Sequence, residues 1–314
     1  MKITFATRPS ALARWQTAWV IQSLQAIFPE LECEEQIITT HGDRILDKPL
    51  PEIGGKGLFT QELEAELLSC HVHAAVHSLK DLPIVDSPGL VIGAIPKRAD
   101  VRDALISAKG YTIETLPENT RVGTSSLRRA AQLLSIRPDL QIEPLRGNVD
   151  TRLRKALEGR YEAVILAGAG LNRLGLDKFV TQWLPLDIML PAPGQGALAV
   201  QCRAPNQGQA DDAMTLYCLA ALDDPSTRAA TAAERSFLSG LGGGCAVPVA
   251  AYARFEQNGA QPAIHLQGLV ASIDGRSMIR VEGAGSDAQD LGLRLAQAAL
   301  AQGASELLLM KVQS

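Results

Sequence analysis

Apolar positions along the 314-residue chain change their spacing several times. Ile3 to Ala6 is a short apolar run of strand length, and Leu12, Trp15, Trp19 and Leu24 then recur near helical spacing until Pro29. Ile37 to Thr40 reads as a second strand, and His41 to Gly57 as a long polar loop containing Gly and Pro. Loops of that length inside a domain are usually functional or mobile. A helix follows, with Phe59, Leu63 and Leu67 on one face and Glu62, Glu64 and Glu66 elsewhere, and Val72 to Val76 is the next strand. A second segment, from about Asp103 to Leu190, repeats the alternation. Arg121-Val122-Gly123 is a strand end, Leu127, Ala131 and Leu134 lie on a helix, and Ala163 to Ala167 is a continuous apolar run, as in a strand buried on both faces. Alternating strands and helices predict parallel sheets. Ala197 to Cys202 is a further strand whose sheet the pattern leaves open. The last part differs: Val247 to Phe255, Ala263 to Ile273 and Met278 to Glu282 read as strands, with Asn258-Gly259 and Asp274-Gly275 as hairpin turns. A helix over 288–301 ends before Gly303. The expectation is α/β for most of the chain, then a small α+β domain with an antiparallel sheet.

Composition narrows the function. Hydrophobic residues are 46% and charged residues 20%, which excludes a mostly disordered chain. The formal charge of -4 argues against a general coat for nucleic acid, though not against a local basic site. No run approaches the roughly 18–20 apolar residues of a membrane span. The first residues read as a strand rather than a secretory signal. The five cysteines are scattered without a Cys-x-x-Cys pair, which disfavours a disulfide framework or a zinc module and makes a reducing cytoplasm the expected setting.

Charge is not evenly spread. Residues 121–160 hold nine basic side chains against four acidic ones, an excess of +5 in a chain whose remainder is therefore -9. Gly123-Thr124-Ser125-Ser126-Leu127-Arg128-Arg129 is a strand end, a hydroxyl-rich turn and a helix start, where free N–H groups and forked guanidiniums suit carboxylates or phosphates. Arg146-Gly147-Asn148-Val149-Asp150-Thr151-Arg152 puts two more arginines on a turn. Arginine in place of lysine favours bidentate anion recognition; the competing reading is a solvated helix face.

Four other segments carry candidate chemistry. Ala74 to Val76 leads into His77-Ser78-Leu79-Lys80-Asp81, a polar strand end where α/β sheets bind ligands; Asp81 is a candidate acid/base and Lys80 an anion contact, against a simple loop ion pair. His71, His73 and His77 share parity beside Cys70, but nothing completes a familiar metal spacing, so no metal is expected. Gly54-Gly55-Lys56-Gly57 lacks the ending of a P-loop; its lysine suits a closing lid instead. Gly242-Gly243-Gly244-Cys245 is either a hinge or an approachable thiol, a nucleophile or covalent anchor.

Taken in order, these motifs resemble the porphobilinogen deaminase (hydroxymethylbilane synthase) family. The likeness runs through Ala6-Thr7-Arg8-Pro9-Ser10, Gly54 to Phe59, Ala75 to Asp81, Gly123 to Arg129, Leu145 to Arg152, Pro191-Ala192-Pro193-Gly194-Gln195-Gly196 and Gly243 to Pro248. It implies two α/β domains like type II periplasmic binding proteins with a cleft between them, residues 1–99 with 197–217 and residues 100–196. A third α+β domain, residues 218–314, would carry the cofactor cysteine. It implies a transferase that joins four porphobilinogen molecules head to tail, releasing ammonia, to give hydroxymethylbilane for haem biosynthesis. The cofactor would be dipyrromethane, bound by a thioether to Cys245, and Asp81 the catalytic carboxylate. The implied cofactor and substrate contacts are Arg8, Ser10, Lys56, Ser78, Lys80, Thr124, Ser125, Ser126, Arg128, Arg129, Arg146, Gly147, Asn148, Arg152, Arg173 and Gln195. A monomer without nucleic-acid or membrane partners is implied. Two other readings compete: a two-lobed receptor for small carboxylates, which would need export and leaves Cys245 unused, and a nucleic-acid binder, for which 4% aromatic residues offer little stacking surface.

Overall fold

The computed structural model describes residues 1–44, 57–85, 87–205, 210–243, 247–256 and 263–309. Those within 1–99 and 196–228 form one compact unit, and those within 100–195 and 229–309 a second. The strands in chain order are β1 (Lys2–Thr7), β2 (Glu32–Ile37), β3 (Ala74–Ser78), β4 (Leu90–Ala94), β5 (Asp103–Ile106), β6 (Arg121–Gly123) and β7 (Gln141–Glu143). They continue with β8 (Ala163–Ala167), β9 (Gln182–Trp183), β10 (Leu198–Arg203), β11 (Val249–Glu256), β12 (Ala263–Ala271) and β13 (Met278–Gly285).

In the first unit, the alternation of β1 feeds two cores. Ile3 and Phe5 meet Val20 and Leu24 of the helix Ala11–Ile27 on one face, and Ala6 meets Leu63 and Leu67 of the helix Gln61–Leu68 on the other. Each fully buried side chain of this size contributes about 1.5–3 kcal/mol. The sheet order is β2-β1-β3-β10-β4. β1 runs parallel to β2 and β3, while β10 returns antiparallel between β3 and β4. The strand at Ala197–Cys202 thus joins the first sheet, which is mixed rather than parallel. The second strand is Glu32–Ile37, not Ile37–Thr40. It lies at the sheet edge and alternates charged residues, so its apolar signal is weak. The start of the expected loop is a short helix, His41–Arg44.

The second unit holds two sheets. The first has the order β7-β6-β8-β5-β9. β6 is parallel to β7 and β8, and β5 is antiparallel to β8 and β9, so this sheet is mixed as well. Ala163 to Leu166 of β8 are buried, as their unbroken apolar run predicts. The other sheet is the antiparallel β11-β12-β13. Its core joins Leu266 to Phe237, Leu291 and Leu295. Gly268 on β12 is required here: a Cβ would stand 2.5 Å from the Phe237 ring. Gly275, at φ +71°, makes the turn between β12 and β13. The other expected hairpin, Asn258-Gly259, lies outside the described residues. Among the described residues no helix is long and apolar enough to cross a membrane.

Candidate functional site

In both α/β sheets the candidate residues collect where parallel strands end, the usual address of ligands in such sheets. In the first unit β1 delivers Arg8 and Ser10. The Ser10 hydroxyl caps the helix Ala11–Ile27, accepting from the Ala13 N–H at 3.3 Å. Arg8 donates Nε to Asp43 Oδ2 at 3.1 Å, pairs a second nitrogen with Oδ1, and stacks 4.2 Å over the Phe59 ring. Asp43 also accepts from the Thr40 N–H and hydroxyl, at 3.1 and 2.7 Å. Burial pushes the Asp43 carboxyl up, but the hydrogen bonds from Arg8 and Thr40 outweigh it and hold it below the ordinary value.

β3 ends in Ser78 and a 3-10 turn, Leu79–Asp81. The Ser78 hydroxyl accepts from Gln16 Nε2 at 3.0 Å. Leu79 and Leu82 are buried with Ile95, Ala197 and Ala199, and the Leu79 N–H donates to Ala197 O at 3.0 Å. Between these anchors Asp81 is exposed and Lys80 half-buried. A rigid base thus carries one exposed carboxylate beside one half-buried ammonium. The three histidines separate: His71 is exposed against Glu66, the His73 ring accepts from the Thr4 N–H, and His77 is buried in β3. Burial pushes His77 down to about 4; Gln201 opposes the shift and Arg8 adds to it.

In the second unit, the turn after β6 is built from hydroxyls. Thr124 N–H donates to Glu143 O at 2.9 Å, and the Thr124 hydroxyl accepts from the Ser126 N–H at 3.2 Å. Ser125 Oγ donates to Leu145 O and accepts from Leu145 N–H, at 2.9 and 3.0 Å. Ser126 caps the helix Leu127–Ile136 by accepting from the Arg129 N–H. Arg128 and Arg129 are buried against Asp103, each with an Nη2–Oδ distance of 2.8 Å. Their Nη1 groups donate to Leu190 O and Ile165 O, at 2.7 and 3.0 Å. Gln195 donates to Asp103 Oδ1 at 2.9 Å and to Val101 O at 2.8 Å. Burial pulls the Arg128 guanidinium below its ordinary value, and Asp103 offsets part of the loss.

The remaining candidates follow β7 and β8. Gly147 holds φ +112°, and a Cβ there would stand 2.7 Å from Thr151 Cγ2. Asn148 is the N-cap residue of the helix Val149–Leu157 without a side-chain cap bond. Arg152 therefore lies on a helix, not on the expected turn, and its Nε donates back to Gly147 O at 2.7 Å. Arg146 is half-buried and pushed below its ordinary value by burial. Arg173 ends the helix Gly168–Arg173 after β8, and burial pushes it down to about 10. A desolvated guanidinium gains most from an incoming carboxylate. Lys56 and Cys245 lie outside the described residues.

Sequence reasoning missed Asp43, Asp103 and the stacking role of Phe59. Asp103 had a signal: an acid at the head of the apolar run Ala104-Leu105-Ile106, in a strand that is buried throughout. Asp43 had none, because it sat in a segment read as loop.

Residues 3–211 match the family model "Porphobilinogen deaminase, dipyromethane cofactor binding domain", and residues 229–301 match "Porphobilinogen deaminase, C-terminal domain". A porphobilinogen deaminase of Brevibacillus brevis is 51% identical, covering 96% of this chain and 95% of its own. Those of Moorella thermoacetica and Roseiflexus castenholzii are each 48% identical, covering 98% of this chain and 96% and 98% of their own.

Proposed function

Because the chain belongs to the porphobilinogen deaminase family, which joins porphobilinogen units into hydroxymethylbilane, we propose that its strand-end residues divide that chemistry between one carboxylate and a set of cations. The chain carries the family's dipyrromethane-binding domain and acts in tetrapyrrole biosynthesis. Four porphobilinogen molecules are coupled head to tail, with one ammonia released at each coupling.

Asp81 is the catalytic residue in this reading. When the substrate's C–N bond breaks, the electron pair leaves with ammonia and the ring methylene is left cationic. An adjacent carboxylate stabilises that cation. A carbon–carbon bond then forms at a pyrrole carbon, which must release a proton; the Asp81 oxygens are its acceptor. The observation that carries the assignment is the exposed Asp81 side chain on a turn locked by buried Leu79 and Leu82.

Every ring brings carboxylate side chains, so a growing chain needs fixed cations. Arg8, Lys80, Arg128, Arg129, Arg146, Arg152 and Arg173 are assigned that task, with Lys56 from the Gly-rich segment. Ser10, Ser78, Thr124, Ser125, Ser126, Gly147, Asn148 and Gln195 support them through capping, turn-forming or amide contacts. The donor set fits a polycarboxylate: cations, hydroxyls and N–H groups at strand ends, several desolvated. Bound dipyrromethane supplies the pyrrole carbon to which the first substrate is joined, and Cys245 is assigned as its thioether anchor. The separate cores of the three sheets support a three-domain reading with boundaries near residues 99/100 and 196/197; Cys218 and Leu219 pack in the first sheet's core, which moves the last boundary from 217/218 to about residue 228. A monomeric cytoplasmic enzyme without nucleic-acid or membrane partners completes the proposal.

Asp81→Asn tests the central role. Ammonia release from porphobilinogen is expected to fall about 10²–10⁴-fold, with covalent cofactor and melting temperature retained. Near-normal release would remove Asp81 from the chemistry.

A further inference from the structure

We propose that Asp103 is a positioning residue for this reaction: its carboxylate fixes Arg128 and Arg129 in one arrangement and cancels one of their two charges, so that the site offers a substrate carboxylate a single, placed positive charge. The proposal rests on the reading of Arg128 and Arg129 as carboxylate contacts.

The stoichiometry carries it. Asp103 opens β5 and its side chain is 0% exposed. Both guanidiniums lie 2.8 Å from it, one on each oxygen. Two cations forced together in a buried place repel strongly, so the pair depends on the carboxylate between them. Carbonyls of Leu190 and Ile165 fix the other end of each fork. Gln195 adds a third donor to the same carboxylate and ties it to Val101 O. Asp103 therefore organises the arginines and the segment around Gln195 together.

A scaffold ion pair in the first unit looks different. Arg203 gives Nε to Asp212 at 2.7 Å and Nη1 to Leu67 O and Val72 O, at 2.7 and 2.6 Å. That pair is one to one, and its charges cancel. Among the described residues, the Asp103 cluster sets two guanidiniums against one carboxylate. The buried Nε–H groups of Arg128 and Arg129 have no hydrogen-bond partner among the described residues. Excess cationic charge and unused donors suit an anion site, whereas the unpartnered atom of the scaffold pair, Asp212 Oδ2, is an acceptor. The hydroxyl turn Thr124 to Ser126 leads into the same helix start.

Three variants of the cofactor-loaded enzyme test this, with intact mass confirming the loading. Asp103→Asn keeps the shape and removes the charge. Its KM for porphobilinogen is expected to rise about tenfold or more while kcat stays within about threefold, the signature of lost uniform binding. With two guanidiniums unmatched, sodium sulfate should raise its melting temperature more than it raises that of the wild type, relative to sodium chloride at equal ionic strength. A wild-type KM and a wild-type sulfate response, even with a lower melting temperature, would reduce Asp103 to a scaffold counter-ion and overturn the proposal. If Asp103→Asn does not fold, Asp103→Glu keeps the charge but displaces it by one methylene; a raised KM is expected, and an unchanged KM overturns the proposal. Arg129→Gln separates the two levels: an unchanged KM there rejects the arginines as carboxylate contacts, whereas a raised KM beside a normal Asp103→Asn rejects only the role of Asp103.

Discussion

The first unit sets one arginine against one carboxylate at its strand end, and the second sets two arginines against one. Arg8 is matched by Asp43 and shielded on one side by Phe59. Arg128 and Arg129 share Asp103 and keep an unbalanced charge. The contrast separates a matched cation from an unbalanced pair, a difference that a count of charged residues along the sequence does not show. The same contrast sorts the rest of the basic segment. Arg137 is bound to Asp139 and to Ile113 O, Arg154 and Arg160 face Glu158, and Arg121 faces Glu162. Only part of the +5 excess belongs to the strand ends.

The comparison can be broken most strongly through a neutral scaffold pair. Arg203→Met leaves Asp212 buried and unmatched, which should cost about 3–5 kcal/mol of stability in a denaturant titration. Where the variant remains folded, kcat should match the wild type; a lost kcat would erase the distinction between scaffold and site ions.

A smaller effect is expected from acid. His77 titrates at about 4 in the folded chain, chiefly because of burial, against an ordinary 6.5. The folded value is the lower one, so its contribution is intact above pH 6.5 and is lost as pH falls toward 4. The loss at pH 4 should be about 3 kcal/mol, and His77→Gln should flatten that limb of the stability profile. An unchanged limb would show that His77 is not a controlling group.

Arg8→Lys sharpens the contrast between the two strand ends. Lysine keeps the charge but loses the two-pronged contact with Asp43 and the flat face over Phe59. KM for porphobilinogen should rise about tenfold, about 1.4 kcal/mol, with a modest change in melting temperature. An unchanged KM would place Arg8 among the scaffold ions.

The smallest effect belongs to Arg154→Ala. Its ion pair with Glu158 is exposed, so stability should change by less than about 0.5 kcal/mol and KM should not move. A raised KM would return the whole basic segment to the site.

Much of this was legible in the sequence where a pattern is local. The strand β8, the helix after Ser126 and the antiparallel C-terminal sheet follow from runs, caps and turns. The Asp81 turn was legible as well, because an apolar strand ends abruptly in polar residues. Strand direction was not: β10 enters the first sheet antiparallel from a distant part of the chain, which no local spacing encodes. β2 was misplaced because a charged edge strand hides its period. Arg152 was read as a turn residue because Gly147 and Asn148 resemble one, although they precede a helix. The partners of the arginines were also hidden, since Asp43 is 35 residues from Arg8 and Asp103 is 26 from Arg129.

The central claim is that these strand ends serve a polycarboxylate chain built on a covalent primer. Intact-mass spectrometry of active protein, purified from a haem-producing host, tests it most directly. The account predicts a mass above that of the polypeptide by one dipyrromethane, absent from Cys245→Ser. Fully active protein at the unmodified polypeptide mass would contradict it.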